Sequence, residues 1–595
     1  MRIAGTRCRQ ASLYVLAGLL AARSSLSLAD STNAVPTRSV PDRSATPLRL
    51  MIERYGSDLE ALSRFFPVEF SEKRIARLRE FHRQKSQELQ ATDFDSLDQD
   101  SKVDYLLLRN RIHHELSQLD QTESRRNATS ELMPFVAPLL PLIENRRRAA
   151  PVEYEQAARA LSDAVAKIGK TQESLEEKLK LPKESQTNLP TAVVANRASQ
   201  QIEGLKNALR GWNDFYAGYD PQFTWWVGET HEKLNKKLSD YAGFLRKKLA
   251  GFPEDGDPPV IGDPIGRAAL IEALQDQFIP YTPEQLIDIA NKELAWCEVE
   301  MRKAADDLGF AGDWKKALDH VSKIHVEPGK QPALIRELAE ESTQFVESHQ
   351  LVTVPDLCKE TWRMEMMSPE TQKMTPYFTG GEVISIAYPT ANMGFDDKLM
   401  TMRGNNIHFA RATVHHELIP GHHLQIFMSE RYRTHRSQFS TPFLVEGWAL
   451  YWEMRLWDMN FQRSAEDRVG MLFWRSHRCA RILFSLKFHL GQMTAQEAID
   501  FLVDKIGHER RNATAEVRRS VSGGYGPLYQ AAYMLGGLQL RALHDEVVGP
   551  GKMSEREFHD AVLMQNAIPI EMIRASLAAK PLTRDYVPTW NFYRF

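Results

Sequence analysis

The sequence predicts a mainly α-helical protein, and three observations carry that prediction. From about Leu48 to Leu249, segments such as 73–89, 157–179 and 191–219 space apolar residues three and four apart with charged faces between them. Helix-start signals are strong: Thr282-Pro283-Glu284-Gln285 sets a capping Thr before a Pro at the first helical position, and Ser440-Thr441-Pro442 does the same. Strand signal is scarce. Its best example is 382–388, entered through Gly380-Gly381 and closed by Pro389.

The 595 residues, 43% hydrophobic and 26% charged, are enough for a large core. A net charge of -3 gives no footing for nucleic acid. No internal repeat is present.

In chain order, Arg2, Arg7 and Arg9 precede an apolar run over 11–22, and Ser27-Leu28-Ala29 follows it. This is the n-region, h-region and small-residue cleavage pattern of a signal peptide over 1–29. The run is short for a membrane span. The expectation is therefore an exported protein, periplasmic or secreted, with no stable membrane span after cleavage. Residues 30–47 are rich in Ser, Thr, Pro and Ala and read as a flexible N-terminus. A helical N-terminal region over 48–250 follows, then a Gly/Pro/Asp-rich linker over 251–266, then a region over 267–595 that holds the candidate site. Cys8 leaves with the signal. Cys297, Cys358 and Cys479 form no zinc knuckle or disulfide framework and read as buried thiols. The sequons Asn127-Ala128-Thr129 and Asn512-Ala513-Thr514 matter only in a eukaryotic secretory pathway.

Chemistry concentrates in His415-His416-Glu417-Leu418-Ile419-Pro420-Gly421-His422-His423. Zinc peptidases place two imidazoles and a general base around one ion with a His-Glu step and a second His one helical turn on. No His pair here is four apart. His416 and His423 are separated by roughly 10 Å of helix rise, too far for easy chelation. His416 and His422 serve together only if the helix bulges by two residues between them. Pro420, without an N–H, and Gly421, free in its dihedrals, supply a reason for such a bulge. On this reading His415 and His423 point elsewhere, and Glu417 is the general base. The bland alternative is a set of core histidines satisfied by backbone carbonyls.

A third ligand follows 24 residues after His422, far enough for one helix to turn and another to return. Glu446 stands there among apolar neighbours, where a carboxylate is costly unless paired or metal-bound. Glu453, two turns on, can orient a ligand His, or else form a solvent salt bridge. Near the C-terminus, Gly523-Gly524-Tyr525-Gly526-Pro527 leads into a helix, with Tyr525, Tyr529 and Tyr533 spaced four apart. A phenol can donate to an oxyanion; as core aromatics the three would need only satisfied hydroxyls.

His416-Glu417-x-x-Pro420-Gly421-His422-His423-Leu424-Gln425, followed by Glu446-Gly447-Trp448-Ala449, resembles the bacterial family called domain of unknown function 885, over most of the mature chain. That family is grouped with zinc metallopeptidases whose third ligand is Glu. More distantly, Gly421-His422, Glu446 with Glu453, Gly523-Gly524-Tyr525 with Tyr529, and Ala387-Tyr388-Pro389-Thr390 are similar to motifs of thimet oligopeptidase and its relatives. That resemblance implies a large helical zinc-peptidase fold with a deep cleft favouring short peptides, a small β-sheet near the active site whose strand holds the substrate backbone, and tyrosines that stabilise the tetrahedral intermediate. Two departures stand out. The ligand spacing has two extra residues, and Ser520 stands where those relatives carry a His.

The expectation is a zinc metallopeptidase acting on short peptides. One zinc per chain is held by His416, His422 and Glu446, with water in the fourth position. Glu417 acts as general base, and Tyr525 or Tyr529 as oxyanion donor. Two other readings stay open: a non-catalytic metal- or peptide-binding protein, and a metal-dependent amidase acting on a non-peptide or cell-wall substrate.

Overall fold

The computed structural model describes residues 47–186, 189–254, 258–374, 377–522 and 525–594. The signal peptide, nearly all of the flexible N-terminus, Cys8 and Gly523-Gly524 lie outside the described residues. The fold is mainly α. No described helix is long and apolar enough to cross a membrane. Cys297, Cys358 and Cys479 are buried free thiols.

The N-terminal helices serve two cores. Leu48, Ile52 and Tyr55 of the Pro47–Phe65 helix and Val103–Leu108 of the Gln99–Thr129 helix pack with Trp448, Trp452 and Leu543 from the C-terminal half. The helices Tyr154–Lys180, Ala192–Tyr216 and Pro221–Phe244 close a core of their own around Trp212, Phe223 and Tyr241. Their three-and-four spacing puts the apolar stripe of each on the shared side. The described parts of 251–265 carry neither helix nor strand, in keeping with their Pro and Gly content.

Both predicted helix starts have a physical cap. The Pro283–Asp307 helix opens with a capping box, Thr282 accepting from the Gln285 N–H while the Gln285 side chain accepts from Thr282. This helix lies along Ala465–His489. Pro442–Asp458 starts with Thr441 accepting from the Phe443 N–H. It crosses Tyr529–Val547 at glycines. A Cβ on Gly447 would stand 2.6 Å from Gly536 Cα, and one on Gly536 would stand 2.8 Å from Gly447 Cα and run into the Phe443 carbonyl. The backbones approach so closely that neither position has room for a methyl group.

The strand signal at 382–388 becomes β2, Val383–Ile386, paired in parallel with β1, Arg363–Met366. Ile384 and Ile386 are buried against Ala410, Val414 and Leu418, four residues apart along one face of the Ile407–Glu417 helix and its exit. That packing seats the sheet beside the His-rich segment. The offered edge of β2 is engaged at Ser385, whose N–H and C=O both bond Thr379 at 2.8 and 3.1 Å. An extended peptide therefore cannot pair along the whole strand.

Several buried histidines are held neutral. His559 donates from Nδ1 to the Leu351 carbonyl at 2.8 Å and accepts at Nε2 from the Tyr451 hydroxyl at 2.8 Å. Burial pushes its pKa down to about 4, as it does for His82, His489 and His508. In the unfolded chain these rings take up protons near pH 6.5. Between pH 6.5 and 4 the unfolded state binds more protons, so stability present above 6.5 is lost as pH falls toward 4. The melting temperature is expected to drop steadily through that window; a flat profile would show that these rings do not stay neutral. Gly536→Ala is expected to cost ~2 kcal/mol or more, measured by chemical denaturation, because helix backbone has to move to admit the methyl. An unchanged midpoint would mean that the crossing is looser than described.

Candidate metal centre

The His-rich segment is not one bulged helix. The Ile407–Glu417 helix ends, and a second helix, His422–Ser429, begins after four linking residues. The Ile419–Pro420 peptide is cis. Pro420 cannot donate, so the helical ladder stops, and other groups satisfy the backbone. The Gly421 N–H donates to the His415 carbonyl at 3.0 Å and the His423 N–H to Leu418 at 3.1 Å. The Ile419 carbonyl accepts from the Ser342 hydroxyl at 2.8 Å and the Pro420 carbonyl from Trp448 Nε1 at 2.8 Å. Gly421 is needed for space, since a Cβ there would collide with the carbonyls of His415 and His416.

This break turns His416 and His422 toward each other. Their rings stand perpendicular, centroids 4.8 Å apart. His416 Nε2 and His422 Nε2 lie 3.7 and 3.2 Å from Glu446 Oε2. The three candidate ligand atoms all fall within 4.8 Å of one another. Ligands around tetrahedral zinc sit about 3.3 Å apart, so the arrangement fits one ion. Glu446 Oε2 is buried without a hydrogen-bond partner, as a carboxylate oxygen reserved for a cation should be. The other two histidines face away. His423 Nε2 meets the Cys358 carbonyl at 2.8 Å, and His415 Nδ1 meets the Arg411 carbonyl at 2.9 Å.

Neighbouring groups fix the ligand atoms. Glu453, buried rather than solvent-paired, accepts from His416 Nδ1 at 2.6 Å, which leaves Nε2 for the ion. Arg478 stands 3.5 Å from the same Glu453 oxygen. Burial works against the charged form of Glu453, but Arg478 and His416 outweigh it and hold the carboxyl below its usual range. Burial likewise works against charge on Glu446, and His422 and His416 take its pKa well down. The His416 ring is disfavoured as a cation by burial, yet the Glu446 and Glu453 carboxylates raise it to about 9. Glu417 differs: burial pushes its pKa up, and the two histidines offset this only in part.

The Tyr529 hydroxyl donates to Glu446 Oε1 at 2.5 Å. Tyr525 precedes the Tyr529–Val547 helix instead of lying on it, so helical spacing does not relate the two. Their rings nevertheless pack with centroids 4.2 Å apart. Tyr533 lies nearly parallel to the His416 ring at 6.2 Å. Ser520 is turned back, donating to the Glu516 carbonyl at 2.6 Å. Two participants escaped the sequence reading. Gly380 abuts Glu417, where a Cβ would stand 2.5 Å from the Glu417 carbonyl oxygen and would also strike its carboxylate; the sequence showed this glycine only as a strand entry. Arg478 belongs to a run, Arg475, Arg478 and Arg481, spaced three apart in a buried helix, and that spacing is a readable signal.

A family model described as "Bacterial protein of unknown function (DUF885)" matches residues 67–577. Among solved structures, the chain is similar to one described as "a putative lipoprotein of unknown function" from Shewanella oneidensis, with TM-score 0.67 and 17% identity over 90% of this chain and 100% of that one. It is also similar to "the putative lipoprotein" from Colwellia psychrerythraea, with TM-score 0.58 and 15% identity over 89% and 98% of the two chains. At these identities the likeness concerns the fold alone. No curated protein matches.

If the three ligand atoms hold an ion, purified protein should carry about one zinc per chain. His422→Ala is expected to lose it and His423→Ala to keep it, by elemental analysis. The reverse pattern would assign the ligand to the wrong ring.

Proposed function

We propose that this chain, which belongs to the DUF885 family of bacterial proteins, is an exported zinc-dependent peptidase acting on short peptides. The observation that carries the reading is Glu417: a buried carboxylate adjoining His416, with its pKa raised, set beside a His/His/Glu ligand set. A site that only stores metal has no use for a base at that position. A carboxylate with a raised pKa holds a proton more firmly than a free one, which suits it to take a proton up and pass it on.

His416, His422 and Glu446 would hold the zinc ion, which would supply Lewis acidity to water and to the scissile carbonyl. The chain's own groups do the rest. Glu417 takes a proton from the attacking water and later delivers it to the leaving amine. Glu453 holds the His416 ring in the tautomer that presents Nε2. Tyr529 positions Glu446 through its hydroxyl. Tyr525, packed on Tyr529, donates to the oxyanion. Gly380 leaves the room that the Glu417 carboxylate occupies. The apolar run over 11–22 and the description of the neighbouring structures as lipoproteins support a cell-envelope or exported setting.

The test is hydrolysis of a mixture of unblocked tetra- to decapeptides, followed by mass spectrometry beside esters and amino-acid amides. Glu417→Gln is expected to lower turnover by ~100-fold or more while zinc content stays unchanged. Undiminished turnover in that variant would sink the mechanism. Hydrolysis confined to the esters or amides would replace a peptidase by an amidase.

A further inference from the structure

Two pockets adjoin at Tyr525. One, of about 740 Å³, lies between the Gln99–Thr129 and Ala192–Tyr216 helices and residues Ser520, Val521, Ser522, Tyr525, Gly526 and Pro527. The second, of about 580 Å³, shares Asn196, Gln200, Ile261, Ser522 and Tyr525 with it. Tyr525 links both to the metal centre, because its ring packs on Tyr529 and the Tyr529 hydroxyl reaches Glu446.

The second chamber is unbalanced in charge. Arg246, Arg518 and Arg519 line it against a single carboxylate, Glu203. Arg246 stands 3.9 Å from Glu203, which also pairs with Lys206 at 2.7 Å. Arg519 shares its anion too. Glu516 takes Arg519 Nη2 at 3.0 Å on one oxygen and Arg481 Nε at 2.6 Å on the other. Burial opposes charge on Glu516, but the two guanidiniums hold its pKa down at about 2, so it stays a single negative charge between two positive ones. Arg519 Nε is buried without a partner. Its side chain keeps 23% exposure and lines the second pocket, and its guanidinium carbon lies 5.6 Å from the Tyr525 ring centroid. Arg519 shares the single charge of Glu516 with Arg481 and lines the second pocket beside Tyr525, and a guanidinium so placed fits a carboxylate.

We propose that Arg519 binds the free C-terminal carboxylate of the substrate, so that the enzyme cleaves short peptides close to an unblocked C-terminus. This rests on the peptidase reading above and adds its substrate class. Arg519 connects to Glu446 through the Tyr525 and Tyr529 rings, and a short extended peptide, at roughly 3.5 Å per residue, would bridge the scissile bond and the guanidinium. Lengthening a peptide toward Arg519 gains the charge-assisted contact, and blocking its end forfeits it.

The experiment compares one pentapeptide as free acid and as C-terminal amide, together with an amide ending in Glu. Wild-type protein is expected to favour the free acid by roughly ten-fold or more in kcat/KM, mostly through KM. Arg519→Gln should erase most of the free-acid preference, raising KM for the free acid well beyond any change on the amide. Equal cleavage of acid and amide by the wild type overturns the proposal. So does an equal loss on both peptides in Arg519→Gln, which is what a purely structural role would give. Cleavage of the Glu-ending amide at the free-acid rate overturns the assignment to the terminal carboxylate and points to an acidic side chain. Should Arg519→Gln lose its zinc or its fold, Arg519→Lys, which keeps the charge beside Glu516, is read by the same ratio, with an intermediate preference expected. Cleavage of none of the three by zinc-loaded wild type would overturn the peptidase reading itself.

Discussion

Four carboxylates are shut inside the helical core around the candidate metal centre, and each has to find positive charge there. Glu453 meets Arg478 and His416, Glu516 meets Arg481 and Arg519, and Glu446 faces His416 and His422. For Glu417 burial outweighs the pull of His416, His422 and Arg478, and its pKa is raised. Leaving one member of such a pair unpaired costs several kcal/mol, roughly 3–5, so the partners cannot drift independently. The helices that carry them, Pro442–Asp458, Ala465–His489 and Arg510–Val521, are thereby tied to one another at the site. Arg478 and Arg481 sit three residues apart on one helix and reach different carboxylates, so a single helix balances both the orienting shell of His416 and the wall near Tyr525.

Packing sets the distances over which these charges act. Because Gly447 and Gly536 let two backbones touch, Glu446 at the crossing comes within hydrogen-bond reach of Tyr529, the first residue of the partner helix. A wider crossing would leave that carboxylate oxygen without its donor. On the opposite side, Ile384 and Ile386 lock the small sheet onto the helix that ends in His416 and Glu417. The turn before β2 then comes down on Glu417, where only a glycine fits at position 380. Apolar burial and glycine contacts, neither of them chemical groups of the site, decide where its oxygens and nitrogens stand.

Much of this could be read from the chain. Thr282 and Thr441 announce their helices because a hydroxyl before a proline satisfies N–H groups that nothing else can. Glu446 stood out as a charge in an apolar stripe. The form of the His-rich segment could not be read, because the break between its helices is stabilised by Ser342 and Trp448, residues 77 and 28 positions from the carbonyls they hold. Periodicity sees a lost hydrogen bond at Pro420 but not the distant donors that make a full break affordable. The engagement of the β2 edge at Ser385 was not legible for a similar reason: a one-residue return at Thr379 makes it, and no pattern of alternation encodes that. Tyr525 looked helical by spacing alone, although the glycines before it and Pro527 after it fit a turn better.

The tyrosines show how the geometry narrows a choice that the sequence left open. A phenol has one O–H, and that of Tyr529 points to Glu446 Oε1 at 2.5 Å. It cannot donate to a second oxygen without releasing the first. Release would strip a buried ligand carboxylate of a bond that orients it, just when charge builds on the substrate. Tyr525 carries no such duty, since among the described residues its hydroxyl bonds to no protein group. Its ring is fixed by Tyr529 on one side and by the Arg519 guanidinium on another. Within the proposed mechanism the labour therefore divides. Tyr529 keeps the ligand in place, and Tyr525, steadied between an aromatic face and a cation, is the phenol left to meet the oxyanion.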